Sequence, residues 1–75
     1  MNENIIKELN NDWIEISKHK YLSEDFIRKY NNKLYWGWIT MIQNLSDDFI
    51  IEFQDKISWN EISEERLNNL IIKYK

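Results

Sequence analysis

The chain has no cysteine, no proline, a single glycine and a single histidine, and each shortage excludes a class of structure or chemistry. Without cysteine there are no disulfide staples, no zinc–thiolate centres and no thiol nucleophile. His19 has no second histidine or cysteine with which to complete a metal site, so between Lys18 and Lys20 it reads as a solvated residue on the outer side of its helix. One glycine cannot build a phosphate-cradling loop, and no nucleophile elbow is present. The sequence therefore predicts no metal, no cofactor and no small-molecule substrate.

Long apolar runs are also missing. None approaches the ~18 residues of a membrane span, and the opening residues MNENIIKELN lack a basic stretch followed by an apolar one. A cytoplasmic protein with no membrane partner is the expectation. No proline-rich or glycine-rich linker interrupts the chain, so residues 1–75 read as a single domain. A chain of this size buries only about 60–65% of its extended surface, which makes every large apolar side chain count. An excess of positive charge is absent too: ten Lys and Arg against thirteen Asp and Glu give a net charge of −3, which argues against a binder of phosphate backbones with its usual basic stripe.

What the chain does have is aromatic residues: four Trp, four Tyr and three Phe, each able to bury about 150–250 Å². Trp13, Trp36 and Trp59 stand 23 residues apart, and aligning the chain on them aligns far more. Ile16-Ser17, Ile39-Thr40 and Ile62-Ser63 share columns, as do LSEDFIRKYNNKL (22–34) and LSDDFIIEFQDKI (45–57). With short gaps, IIKEL (5–9) and LIIKY (70–74) resemble FIRKY (26–30) and FIIEF (49–53). A period in this range signals stacked supersecondary units, none of which buries its apolar face alone.

Helix signals recur within each unit. Ser23 precedes Glu24-Asp25 and Ser46 precedes Asp47-Asp48, an N-cap hydroxyl followed by carboxylates where the helix dipole favours them. Leu22 with Ile27, and Leu45 with Ile50, have the spacing of a hydrophobic staple. These signals predict helices over roughly 23–33 and 46–56. The tryptophan segments predict shorter helices opened by capping boxes, Asp12 with Glu15 and, more strongly, Ser58 with Glu61. Leu67, Leu70, Ile71 and Tyr74 mark a last helix over about 64–74, capped by Ser63, and Asn31-Asn32 and Asn68-Asn69 read as the main breakers. The expected fold is all-α, a compact stack of about six or seven short helices built from the 23-residue repeat. Its expected core is Trp13, Phe26, Ile27, Tyr30, Trp36, Ile39, Phe49, Ile50, Phe53, Trp59, Ile62, Leu70 and Ile71.

The consensus W-x-x-I-S/T-x(4)-L-S-E/D-D-F-I-x-x-F/Y-x-x-K-L/I, clear over residues 13–63, resembles a short tandem repeat of uncharacterised proteins from large DNA viruses, phages and their hosts. The resemblance implies a helical architecture and a viral or phage origin, and brings with it no catalytic residue. Individual function is then expected where the chain departs from the repeat, above all in LYWGWITMI (34–42). Trp36 and Ile39 are ordinary repeat members. Tyr35 replaces Asp12 and Ser58, Trp38 replaces Glu15 and Glu61, Met41 replaces Lys18 and Glu64, and Ile42 replaces His19 and Glu65. The four make a second apolar stripe behind the first. Burial of the middle helix between its neighbours would explain the stripe; an exposed Trp/Tyr/Met patch would instead have the composition of a binding hot spot. Gly37, costly in a helix by about 1 kcal/mol, suggests a close backbone approach.

Adjacent carboxylates such as Glu24-Asp25 do not face each other on a helix and need no acid–base role. No catalytic constellation assembles, so an enzyme is not expected. The reading is a non-enzymatic protein-interaction module that binds through Tyr35, Trp38, Met41 and Ile42 to a protein partner or a second copy. The viral resemblance implies an inhibitor of a host defence component, acting in the host cytoplasm as anti-CRISPR proteins do. Two rivals stand beside it: a single-stranded nucleic-acid binder using Lys18, Lys20, Arg28, Lys29 and Lys33 with the interleaved Tyr21, Tyr30 and Tyr35, and a self-associating structural protein. The net charge disfavours the first.

Overall fold

The periodicity that runs through the sequence reappears in space as repeated contacts. The computed structural model of the chain describes residues 3–74, the last by its backbone alone. Every regular element among the described residues is helical: α1 (Asn4–Glu8), α2 (Trp13–Ser17), α3 (Glu24–Lys29), α4 (Trp36–Ile42), α5 (Asp47–Glu52), a 3₁₀ turn (Trp59–Glu61) and α6 (Glu64–Tyr74). The units α1–α2, α3–α4 and α5–3₁₀ succeed one another, and α6 follows the third. The tryptophan segments α2, α4 and the 3₁₀ turn pack in that order, along a body measuring 41 × 19 × 18 Å.

Bonds between units keep the 23-residue register. Ser17, fully buried, donates from Oγ to the Trp13 carbonyl at 2.6 Å and accepts from the Tyr35 N–H at 2.9 Å. One period on, Thr40 accepts from the Ser58 N–H at 3.1 Å. Trp36 Nε1 donates to the Asn31 carbonyl and Trp59 Nε1 to that of Gln54. The Trp13 and Tyr30 rings lie 5.3 Å apart, as do those of Trp36 and Phe53. Gln43 clamps the backbone of the preceding unit, accepting from Leu22 N–H and donating to the His19 carbonyl; Arg66, in the same column, donates to the Leu45 carbonyl and to Asp47.

Local chemistry sets the helix ends. Ser23, Ser46 and Ser63 accept from the N–H groups of Phe26, Phe49 and Arg66, and Asp12 accepts from Glu15. The predicted 23–33 and 46–56 helices are each shorter at the C-terminal end. Tyr30 and Phe53 leave helical geometry, and their carbonyls accept from Lys33 and Leu34, and from Lys56 and Ile57. That turn brings Leu34 and Ile57 back into the core. Ser58 makes no capping bond, and its segment closes as a 3₁₀ turn instead of an α-helix.

Of the expected breakers, Asn31-Asn32 lie in the turn after α3, and the others differ. Asn10 and Asn11 take left-handed conformations at φ 54° and 58° and separate α1 from α2, a geometry that asparagine tolerates better than most residues. Asn68 and Asn69 lie within α6.

Ile5, Ile16, Leu22, Phe26, Ile27, Leu34, Ile39, Leu45, Phe49, Ile50, Ile57 and Leu70 form the buried core, with Trp13, Tyr30, Trp36, Phe53 and Ile62 packed half-buried against it. Two expected members lie outside. Ile71 is 54% exposed and Trp59 37% exposed. The counterparts of Ile71 in the repeat, Ile27 and Ile50, lie within the core, whereas α6 has turned its Leu70 side inward and left Ile71 and Ile72 on the surface. The side chain of Tyr74 lies outside the described residues.

Candidate interaction surface

Helix α4 has two faces because Trp36, Ile39 and Thr40 recur at the i, i+3, i+4 spacing while Gly37, Trp38 and Met41, at i, i+1 and i+4, fall on the other side. The first face packs inward, with Ile39 and Thr40 buried. The second faces solvent. Tyr35, at the N-cap, is 50% exposed, Trp38 36% and Met41 50%. The Tyr35 side chain makes no capping bond, and its backbone is held by Ser17 of the preceding unit.

Tyr35, Trp38 and Met41 surround an open hollow together with Trp36, Gly37 and Glu61. Glu61, which reads in the sequence only as half of a capping box, arrives from the 3₁₀ turn of the following unit. It occupies the repeat column of Trp38, so register alone could have found it. On the opposite side Lys18, from the preceding unit, places Nζ 4.8 Å from the Trp38 ring centroid and pairs with Glu15 at 3.3 Å. The structure does not bring Ile42 into this group. Ile42 is half-buried and lines a neighbouring recess with Lys20, Tyr21, Leu22, Ser23, Gln43 and Asn44.

Gly37 does not mark a close approach. It has no positive φ, and a Cβ built on it would meet nothing within 4 Å. The glycine leaves open space in the hollow.

The basic stretch is distributed, not convergent. Arg28 forms a two-pronged pair with Glu52 at 2.8 and 2.9 Å and also reaches Asp25 at 2.9 Å. Its bond to Glu52 raises the guanidinium pKa and lowers that of the carboxyl. Lys29 and the Tyr30 hydroxyl both donate to Glu3 at 2.8 Å. Those bonds hold Glu3 below the usual carboxylate range, Lys29 first, and the Glu3 bond raises the pKa of both Lys29 and Tyr30. Lys33 lies over the Trp13 ring at 5.7 Å and Lys20 over Tyr21 at 5.9 Å. Of the three tyrosines, Tyr21 is the most exposed, at 73%.

His19 is exposed, its Nδ1 accepting from the Tyr21 N–H. Among the described residues no three His, Cys, Asp or Glu side chains are grouped as metal ligands, and no helix is long and apolar enough to cross a membrane. No family model, curated protein or solved structure matches the chain.

Proposed function

We propose that the chain is a non-enzymatic protein-interaction module whose binding surface is the outer face of α4, centred on Tyr35, Trp38 and Met41. One observation carries this reading. Three large apolar side chains lie exposed around a single hollow, at columns where the neighbouring units carry charged residues or serine. Apart from the fold's needs, exposed tryptophan, tyrosine and methionine around a concavity favour a protein partner, because such rings and thioethers supply most of the energy at interface hot spots. Ile42 belongs to the margin of the surface. The cations offer less to a nucleic-acid strand, since Arg28 and Lys29 are matched by Glu52, Asp25 and Glu3 and no continuous stripe remains.

The repeat's resemblance to those of large DNA viruses and phages supports a search for the target among host defence proteins, in the manner of anti-CRISPR inhibitors. Met41→Glu tests the surface, because Glu is what the following unit carries in that column. The variant is expected to keep its stability within about 0.5 kcal/mol in urea unfolding. Association, followed by affinity capture from host extract and by sedimentation of the protein alone, is expected to weaken by about 2 kcal/mol or more. A variant that melts far lower would make Met41 a packing residue, and one that keeps both properties would place the interface elsewhere.

A further inference from the structure

The hollow on α4 brings aromatic rings and a carboxylate together with no cation among them. Tyr35, Trp36, Trp38 and Met41 wall it, Gly37 adds no side chain, and Glu61 completes it. Ring faces attract cations, tryptophan most strongly. Lys18 displays that chemistry against the same helix: its Nζ lies 4.8 Å from the Trp38 ring centroid while it pairs with Glu15 at 3.3 Å. An ammonium is thus held between an indole and a carboxylate. Glu61 stands in the column of Glu15, one repeat after Trp38 where Glu15 is one repeat before it. Lys18 does not line the hollow. The ion pairs among the described residues commit Lys18, Arg28, Lys29, Arg66 and Lys73 to other carboxylates, and none of them takes up Glu61.

Whatever covers the hollow also takes Glu61 out of water. An unpaired carboxylate shut into an interface opposes association, whereas a cation set beside it offsets the lost hydration. The surrounding charge has the same sign. In the columns of the four apolar residues the flanking units carry Asp12, Glu15, Glu61, Glu64 and Glu65, all exposed, against a single lysine, Lys18, which Glu15 already matches. Building on the interaction-module reading, we propose that the hollow is a binding site for a cationic side chain, arginine or lysine, carried by the partner protein. Its guanidinium or ammonium lies against the exposed rings and pairs with Glu61, while its methylene stem covers apolar surface beside them. An acidic segment or a phosphate backbone would instead meet carboxylates on both flanks.

The test is a two-dimensional NMR titration of the whole chain with three blocked tripeptides, glycyl-arginyl-glycine and its lysine and citrulline counterparts. Citrulline keeps the shape of arginine without its charge. The amide of Gly37, the one glycine signal, and the indole N–H of Trp38 are expected to shift with the arginine and lysine peptides and to stay still with the citrulline one. Glu61→Gln is expected to raise the dissociation constant about threefold, and Glu61→Lys about tenfold or more. Glu61 is exposed, so both variants are expected to keep the fold, which the remaining signals report directly.

Equal shifts from the citrulline peptide, binding untouched by Glu61→Lys, or signals that no peptide moves would each overturn the inference. Capture from host extract separates that failure from a failure of the interaction reading. A partner lost in Met41→Ala but kept in Glu61→Lys would overturn the cation site and leave the surface standing. A partner indifferent to both variants would overturn the two together.

Discussion

At residue scale, Gly37 is the position where local stability and surface shape conflict. Its helical backbone has no need of glycine, and the space around it is open. Gly37→Ala is therefore expected to stabilise the fold by about 0.4–1 kcal/mol, chiefly by restricting the unfolded chain, with the slope of a urea titration unchanged. The added methyl also enters the hollow between Trp38 and Met41, so the same variant is expected to associate more weakly in sedimentation. A gain in both would mean that the hollow receives nothing. The unusual face of α4 is legible in the amino-acid sequence, because Tyr35, Trp38 and Met41 stand out against Asp, Ser, Glu and Lys in aligned columns. Its exposure to solvent is not, since a middle helix with apolar residues on all sides satisfies burial and binding equally. Ile42 shows the limit of helical spacing as a guide: it continues the stripe in sequence, yet the C-terminal end of α4 delivers it to a different recess.

Short helices of this kind, most of five to seven residues, gain little from propensity and must be fixed by what joins them. Here the join is a hydroxyl in the Ile-Ser/Thr column. Ser17→Ala would leave the Tyr35 N–H without its acceptor and is expected to cost about 1–3 kcal/mol in chemical denaturation. Ser17→Thr, the residue that the next unit carries, retains the acceptor and serves as the control. If the alanine variant were as stable as wild type, the hydroxyl bridge would be incidental.

The sequence displays this column without revealing its purpose. A small polar residue after a core isoleucine reads as the edge of a helix face, and its acceptor role emerges only once residue 35 is known to pass beside residue 17. The serine caps at 23, 46 and 63 are readable because cap and helix adjoin in the chain. The same logic fails at Ser58, where the Glu61 N–H closes the 3₁₀ turn on the Ser58 carbonyl and not on its hydroxyl. It also passes over Asn10-Asn11, whose left-handed geometry looks no different in sequence from the asparagines inside α6.

For the molecule as a whole, the carboxylates that bridge units predict a response to acid. Glu3 and Glu52 both have folded pKa values below their ordinary ones, because Lys29 and Tyr30 donate to the first and Arg28 to the second. The stability they contribute is fully present above the unfolded carboxylate value, about 4.3, and is lost as pH falls through the lower folded values. The melting temperature is expected to decline below about pH 4, by an amount that shrinks in high salt because all of these groups are exposed. Glu52→Gln should remove part of that decline. A melting profile equally steep in the variant would assign the acid response to other groups.

The fixed spacing of the contacts has a further consequence, for how the chain opens. Among the described residues, the side-chain hydrogen bonds that join one unit to another span 18 to 27 positions and none runs from end to end. Structure that grows only between neighbours unravels from its ends, as in other linear arrays. Amide hydrogen exchange should accordingly be fastest in α1 and the last turns of α6, and slowest in α3 and α4, which neighbours flank on both sides. The most slowly exchanging part of the molecule would then be the part that carries Trp38 and Met41. A partner held there would remain bound through every fraying event at either end.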